Sequence, residues 1–335
     1  DSAALAVADK LLQGVAQPWR FGHHEMFPGA SVGIVFLPRD GEDAGTLLRR
    51  ADMAMYRAKD AGRGVHAVYD AGMSRLIEEK TLLQGRLKRA MHGEGLALHY
   101  QPQVDARDGR VVGVEALLRW HDAELGPVAP ARFISVAEST GLILPLGDWV
   151  LDEACRQIAR WRDEGLALRV SVNLSAHQLR QPHFVERLAE RLQAHGIPGA
   201  LLELEITETA AMASPEQAAA QMREIAALGV ALALDDFGVG HSSLSHLRQL
   251  PVSRLKIDRS FIQNVVGGAD DLVLVRAISA LARALGKTTV AEGVETLAQR
   301  NVLRAEGCDV LQGWLFAPAV PAAEVPALVK AGWPT

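Results

Sequence analysis

The chain has 335 residues, 49% of them hydrophobic and 22% charged, which allows one large domain of barrel size or two smaller ones with an ordinary globular core. Lys plus Arg number 35 against 40 Asp plus Glu, a formal net charge of −5, and that balance argues against a duplex nucleic-acid binder, which would usually be basic. Two cysteines, Cys155 and Cys308, exclude a disulfide framework and a cysteine metal site, and they read as reduced, buried thiols of a cytoplasmic protein.

No apolar run approaches a membrane span, and no secretory signal opens the chain. Because the first residue is Asp1 and not methionine, an upstream region is expected, through which a parent protein could be membrane-anchored. Residues 1–70 form a short first segment. Ala3 to Val15 has helical spacing, Ser31 to Phe36 reads as a strand, and Thr46 to Asp60 is amphipathic with Leu47, Leu48, Ala51, Met55 and Ala58 on its apolar face. Ala51-Asp52-Met53-Ala54-Met55-Tyr56-Arg57-Ala58-Lys59 followed by Gly62-Arg63 resembles the C-terminal part of a GGDEF (diguanylate cyclase) domain. That family's signature of two glycines and an acidic pair before Phe is absent, so the segment is expected to be a packing remnant without cyclase activity.

A helix from Met73 to Ala90, with Leu76, Leu83 and Leu87 along one side, reads as a connector over residues 71–92. From there to residue 330 strand and helix alternate, which indicates a parallel α/β architecture. Strands are expected at Leu96–Gln101, Val111–Leu117, Arg169–Asn173, Leu201–Ile206, Val230–Asp235, Arg254–Ile257, Thr288–Ala291 and Val310–Gln312. Helices are expected at Leu146–Glu164, Ala176–His195, Pro215–Leu228, Asp270–Leu285 and Thr296–Glu306, with caps at Thr296 and Ser214-Pro215 and glycine stops such as Gly165 and Gly229. Eight strands with intervening helices over about 250 residues are the dimension of a (β/α)8 TIM-like barrel.

The chemistry gathers at strand ends. Val230 to Leu234 reads as a strand buried on both faces that ends in Asp235-Asp236-Phe237-Gly238. A solvated turn would explain that stretch taken alone, but a polar residue closes strand after strand: Glu115, Asn173, Glu205, Asp235 with Asp236, Lys256, Glu292 and Gln312. In a barrel those ends share the active-site face. Converging carboxylates raise one another's pKa unless counter-charge is shared among them. A ring of oxygen ligands without His or Cys selects hard cations, Mg²⁺ or Mn²⁺, and Asp235 and Asp236 could bridge and flank two ions about 3.5–4 Å apart, as in sites that hydrolyse phosphate esters.

Glu115-Ala116-Leu117-Leu118-Arg119, Asn173-Leu174-Ser175, Glu205-Ile206-Thr207-Glu208, Asp235-Asp236-Phe237-Gly238, Lys256-Ile257-Asp258, Glu292-Gly293-Val294-Glu295 and Gln312-Gly313 stand in order. The set closely resembles the EAL family of cyclic di-GMP phosphodiesterases, from about Glu79 to Lys330. The resemblance implies an EAL barrel at 93–330 that hydrolyses cyclic di-GMP to linear pGpG. It implies one ion held by Glu115, Asn173, Glu205 and Asp235, and a second held by Asp235 and Asp236. Lys256 would orient or activate the attacking water, and Glu292 would be the general base or a water-bridged ligand. Arg119 would contact phosphate, its planar fork suiting phosphate oxygens, and Gln101, Leu118, Pro130, Phe133, Glu138, Asp258, Glu295 and Gln312 would contact the substrate. Glu208 would anchor the loop after the Asp pair, where Val239 and His241 replace the commoner Thr and Tyr. That loop leads into a helix expected over residues 242–250, which in the family contributes to a homodimer. The alternative reading is a catalytically silent cyclic di-GMP receptor that regulates a partner; retention of every metal-ligand position favours the enzyme. A third possibility is a phosphodiesterase held repressed by the missing upstream region.

Overall fold

In the computed structural model, residues 1–21, 24–62, 64–93, 95–240 and 244–333 are described. The chain divides into two units, Asp1–Arg86 and Leu87–Thr335. The division falls within the helix Ala71–Ala90, so most of the expected connector belongs to the first unit.

In that first unit, the strand Val32–Ile34 pairs in parallel with His66–Val68 beside the helix Ala44–Asp60. The helix starts where the Asp43 side chain accepts a hydrogen bond from the Thr46 amide, an N-cap that satisfies one orphan donor. Its buried residues are Ala54 and Ala58, whereas Leu48 is 72% exposed. The expected apolar face is therefore turned toward the alanines, because a Cβ on Gly33 would already lie 1.9 Å from the Ala51 carbonyl oxygen. Backbones this close leave room only for small side chains.

Eight strands of the second unit close into a barrel: β1 (Leu96–Asp105), β2 (Val111–Asp122), β3 (Arg169–Asn173), β4 (Leu202–Thr207), β5 (Ala231–Phe237), β6 (Arg254–Ile257), β7 (Thr288–Ala291) and β8 (Val310–Gln312). Neighbours from β2 to β8 are parallel, while β1 runs antiparallel to both β2 and β8. An all-parallel barrel was the expectation, and the linker explains the departure. Residues 106–110 form a tight turn in which the Arg107 amide donates to Asp105 Oδ1 (2.7 Å) and the Asp105 amide to the Arg110 carbonyl (2.8 Å). So short a connection cannot carry a parallel crossover.

Helices cover the barrel from outside, and one of them departs from its expected form. Ala176 to His195 divides into Ala176–Leu179, closed at its start by a Ser175–Gln178 capping box, and Phe184–Ala194. Pro182 lies in the break, where its missing N–H and its ring interrupt the ladder. Thr296 forms the expected cap, whereas Ser214 makes no side-chain cap bond and Pro215 alone marks that start. The outer core packs from one side of each strand against the helices. Trp161, on the helix Ile143–Asp163, meets Tyr100 of β1 edge-to-face at 4.8 Å, and both are almost fully buried. We expect Trp161→Ala to lower unfolding stability by about 3–5 kcal/mol, read from the midpoint of a urea transition at unchanged slope.

Candidate active site

Side chains alternate along a strand, so one residue in two faces the barrel interior. On β3 to β6 the inward positions are polar at the carboxyl-terminal end, Asn173, Glu205, Asp235 and Lys256, and Glu115 joins them from the middle of β2, which runs on to Asp122. Backbone register sets these levels, with Asn173 opposite Glu205, and Glu292 directly follows β7. Lys256 lies at the centre and is 1% exposed. Its Nζ lies 2.5 Å from Glu205 Oε2, 2.6 Å from Glu292 Oε1, 3.1 Å from Asp235 Oδ1 and 3.6 Å from Glu115 Oε2. The structure thus brings Glu115, Glu205, Asp235, Lys256 and Glu292 into one cluster.

Amides complete it. Asn173 Nδ2 donates to Glu115 Oε1 (2.7 Å), and Gln312 Nε2 donates to Glu115 Oε2 (2.6 Å) and to Gln101 Oε1 (3.2 Å). Asp235 and Asp236 are consecutive and would point to opposite faces of a regular strand. Between Leu234 and Phe237 the register with β6 shifts, and Asp236 takes φ 52°, a left-handed conformation that Asp tolerates better than most residues. This bulge turns the second carboxylate back toward the first. Carboxylate oxygens of Asp235, Asp236 and Glu292 all fall within 4.8 Å of one another.

The charges are unbalanced. Burial alone would lower the Lys256 pKa, but the surrounding carboxylates, Glu115 and Glu205 foremost, overcome it and hold the lysine well above its ordinary value. Burial opposes ionisation of Glu115, yet Lys256 and the Gln312 and Asn173 amides keep its pKa below the usual carboxylate range. Glu205 goes the other way, pushed well up by burial and by the Glu115 charge. Glu292 is raised to about 7, chiefly by burial, and Asp236 is raised by burial and by Asp235. One lysine does not neutralise so many carboxyl groups, and among the described residues Glu205 Oε1 is buried with no hydrogen-bond partner. An orphaned acceptor in an all-oxygen cluster short of positive charge fits a hard divalent cation.

A cavity of about 290 Å³ opens over the cluster, lined among others by Gln101, Leu117, Arg259, Gln263, Glu295 and Trp314. Of the expected substrate contacts, Gln101, Glu295 and Gln312 line it. Asp258 caps the helix Arg259–Gln263 by accepting from the Ser260 amide. Arg119 is partly buried, and its guanidinium donates to the Leu118 carbonyl at 3.1 Å. Leu118 packs into the outer core, because the pleat gives Leu117 the cavity side. Phe133 is fully buried edge-to-face against Trp120, and neither it nor Pro130 nor Glu138 lines the cavity. These placements follow from strand alternation and from helix Pro130–Thr140 turning its apolar face to the core. Conversely, Arg259, Gln263 and Trp314 line the cavity without having been singled out in the sequence. Arg259 directly follows the Lys256-Ile257-Asp258 triplet, and Trp314 directly follows Gln312-Gly313.

Glu208 reaches the loop after the Asp pair. Its Oε2 accepts from the Gly238 amide (3.0 Å), and a Cβ on Gly240 would lie 2.6 Å from Oε1. His241 and the start of the helix expected after it lie outside the described residues; the helix is seen at Leu244–Gln249.

The fold and site define an α/β-barrel protein with a buried acidic cluster at the carboxyl-terminal face of its strands. The chain belongs to the EAL domain family, whose sequence pattern matches residues 84–319, and the pattern of the diguanylate cyclase GGDEF domain matches residues 1–65. It is 42% identical over 327 residues to the bifunctional diguanylate cyclase/cyclic di-GMP phosphodiesterase MucR of Pseudomonas aeruginosa, covering 97% of this chain and 48% of that protein. It is 39% identical over 321 residues to the cyclic di-GMP phosphodiesterase PdeR of Escherichia coli, covering 96% of this chain and 48% of that protein. The chain therefore spans about half the length of these curated relatives. A solved structure of the PaMucR phosphodiesterase in complex with c-di-GMP superimposes with a TM-score of 0.71 at 44% identity, over 73% of this chain and 99% of that one.

Removing the central cation tests the charge balance. Lys256→Met is expected to cost about 3–5 kcal/mol of stability in chelator, the usual consequence of stripping a buried ion pair of one partner, and chemical denaturation with and without Mn²⁺ measures it.

Proposed function

We propose that this chain is a cyclic di-GMP phosphodiesterase that uses Mg²⁺ or Mn²⁺. The observation that carries the reading is the Glu115–Glu205–Asp235–Glu292 cluster with its orphaned Glu205 oxygen, set in a chain of the EAL family beside relatives that are phosphodiesterases. Glu115, Asn173, Glu205 and Asp235 would hold one ion, and Asp235 and Asp236 the second. When bound, such ions acidify a water and offset negative charge on the phosphoryl oxygens.

Water attacks the phosphorus of one phosphodiester in line, the bond from phosphorus to O3′ breaks, and the linear pGpG leaves with a 5′-phosphate and a free 3′-hydroxyl. Lys256, held protonated by its carboxylate neighbours, donates and does not accept, so its part is to orient the water. Glu292, whose carboxylate lies within 4.8 Å of those of Asp235 and Asp236, is proposed to take the water's proton. The proton that Glu292 takes from the water balances the one that O3′ gains as it departs. Arg119 gives the phosphate a planar donor fork, while Gln101, Asp258, Glu295 and Gln312 remain the proposed contacts to the rest of the dinucleotide. Incubation with cyclic di-GMP and Mg²⁺, followed by separation of nucleotides, is expected to yield pGpG, and excess chelator, Glu115→Ala or Asp235→Ala is expected to abolish it. Hydrolysis that persists in chelator would reject the metal-dependent reaction; binding without hydrolysis would favour a receptor.

We also propose a homodimer whose two-fold contacts include Leu244–Gln249 and its neighbouring helix. Gly238, held by Glu208, connects the Asp pair to the loop before that helix, so ordering at the interface would favour the metal-competent position of Asp236. Glu208→Ala should reduce turnover although it lies outside the proposed ligand set. Activity per chain should fall on dilution in step with sedimentation from dimer to monomer; constant activity through that transition would exclude the coupling.

A further inference from the structure

A second polar layer lies one inward position below the carboxylate cluster. Gln103 of β1 is completely buried and stands between Arg254 of β6 and Gln312 of β8. Arg254 donates to Gln103 Oε1 at 3.3 Å and to Glu203 Oε1 at 3.2 Å, and Glu203 Oε1 also accepts from Ser171 Oγ at 2.9 Å. Gln103 Nε2 then donates to Gln312 Oε1 at 3.1 Å, and Gln312 Nε2 donates to Glu115 Oε2 at 2.6 Å.

The two ends of this chain have fixed polarity. A guanidinium can only donate, and an ionised carboxylate can only accept. Each primary amide between them has one donating and one accepting end, so Arg254 dictates which end of Gln103 faces it, and Gln103 in turn dictates the end of Gln312 that faces Glu115. A side branch agrees: the Ala317 carbonyl accepts from Gln101 Nε2 at 3.1 Å, which leaves Gln101 Oε1 to accept from the same Gln312 amide at 3.2 Å. Space is kept for the relay by Gly113, where a Cβ would come within 3.1 Å of Gln103 Oε1.

We infer that Gln103 is a positioning residue for the cation site: it fixes the orientation of the Gln312 amide, which holds the Glu115 carboxylate for its ion. The inference rests on the proposed reading of Glu115 as a metal ligand. Hydrogen bonds that orient a ligating group are commonly worth about 10–100-fold in metal affinity, and here the support reaches Glu115 through a second side chain.

The test is Mn²⁺ binding to the intact chain without nucleotide, by calorimetry or electron paramagnetic resonance. Gln103→Met removes the donor to Gln312 while roughly preserving length, and it should weaken Mn²⁺ at least about tenfold. Because Gln103 acts through Gln312, a Gln103→Met/Gln312→Met double variant should bind Mn²⁺ no more weakly than Gln312→Met alone, an outcome that a purely packing role would not produce. If Gln103→Met does not fold, Gln103→Glu serves, since it keeps the acceptor for Arg254 but in its ionised form cannot donate to Gln312; the same loss is expected. Unchanged Mn²⁺ affinity in the folded single variant, or fully additive losses in the double variant, overturns the inference. An unmodified chain that binds no Mn²⁺ removes the metal reading itself, and with it this proposal.

Discussion

Everything at the carboxyl-terminal face of the barrel depends on one buried ammonium. Lys256 is held among four carboxyl groups contributed by β2, β4, β5 and the segment after β7. Removing so many charges from water is costly, and mutual attraction offsets that cost only when geometry is close and remaining lone pairs are satisfied. Glu115 meets the condition, with both oxygens bonded to amides. Glu205 does not, since one of its oxygens has no partner among the described residues. The cluster is thus organised by its internal cation but not saturated by it.

Much of this was legible in the sequence because the barrel puts its site where strands end, and a polar residue after an apolar run is a visible signal. Glu115, Asn173, Glu205, Asp235, Lys256, Glu292 and Gln312 come together as that pattern requires. The direction of β1 was not legible from strand and helix alternation, which takes no account of a five-residue turn (106–110) too short for a crossover. The convergence of Asp235 and Asp236 was expected from the adjacent carboxylates, but not its means, since adjacent residues diverge in a regular strand and only the bulge reconciles them.

The lower polar layer carried a signal that went unread. Gln101 and Gln103, Ser171 and Asn173, Glu203 and Glu205, and Arg254 and Lys256 are each spaced by two, so each pair lies on one face of its strand. An apolar strand interior would have shown no such doublets. Phe133 and Leu118 show what a motif leaves open: it names positions, and the pleat and the helix face set where each side chain packs.

The antiparallel entry of β1 also bears on how the chain assembles. β1 and β2 are joined by a short turn and can pair early, because closing a small loop costs little entropy. The seam between β1 and β8 is different: Gln103 and Gln312 meet at a sequence separation of 209, and Glu115 and Gln312 at 197. Contacts of such high sequence separation carry a larger loop-closure cost. The acidic cluster therefore acquires its full set of hydrogen bonds only when the ring is shut, which makes the site a reporter of completed folding as well as a place for chemistry.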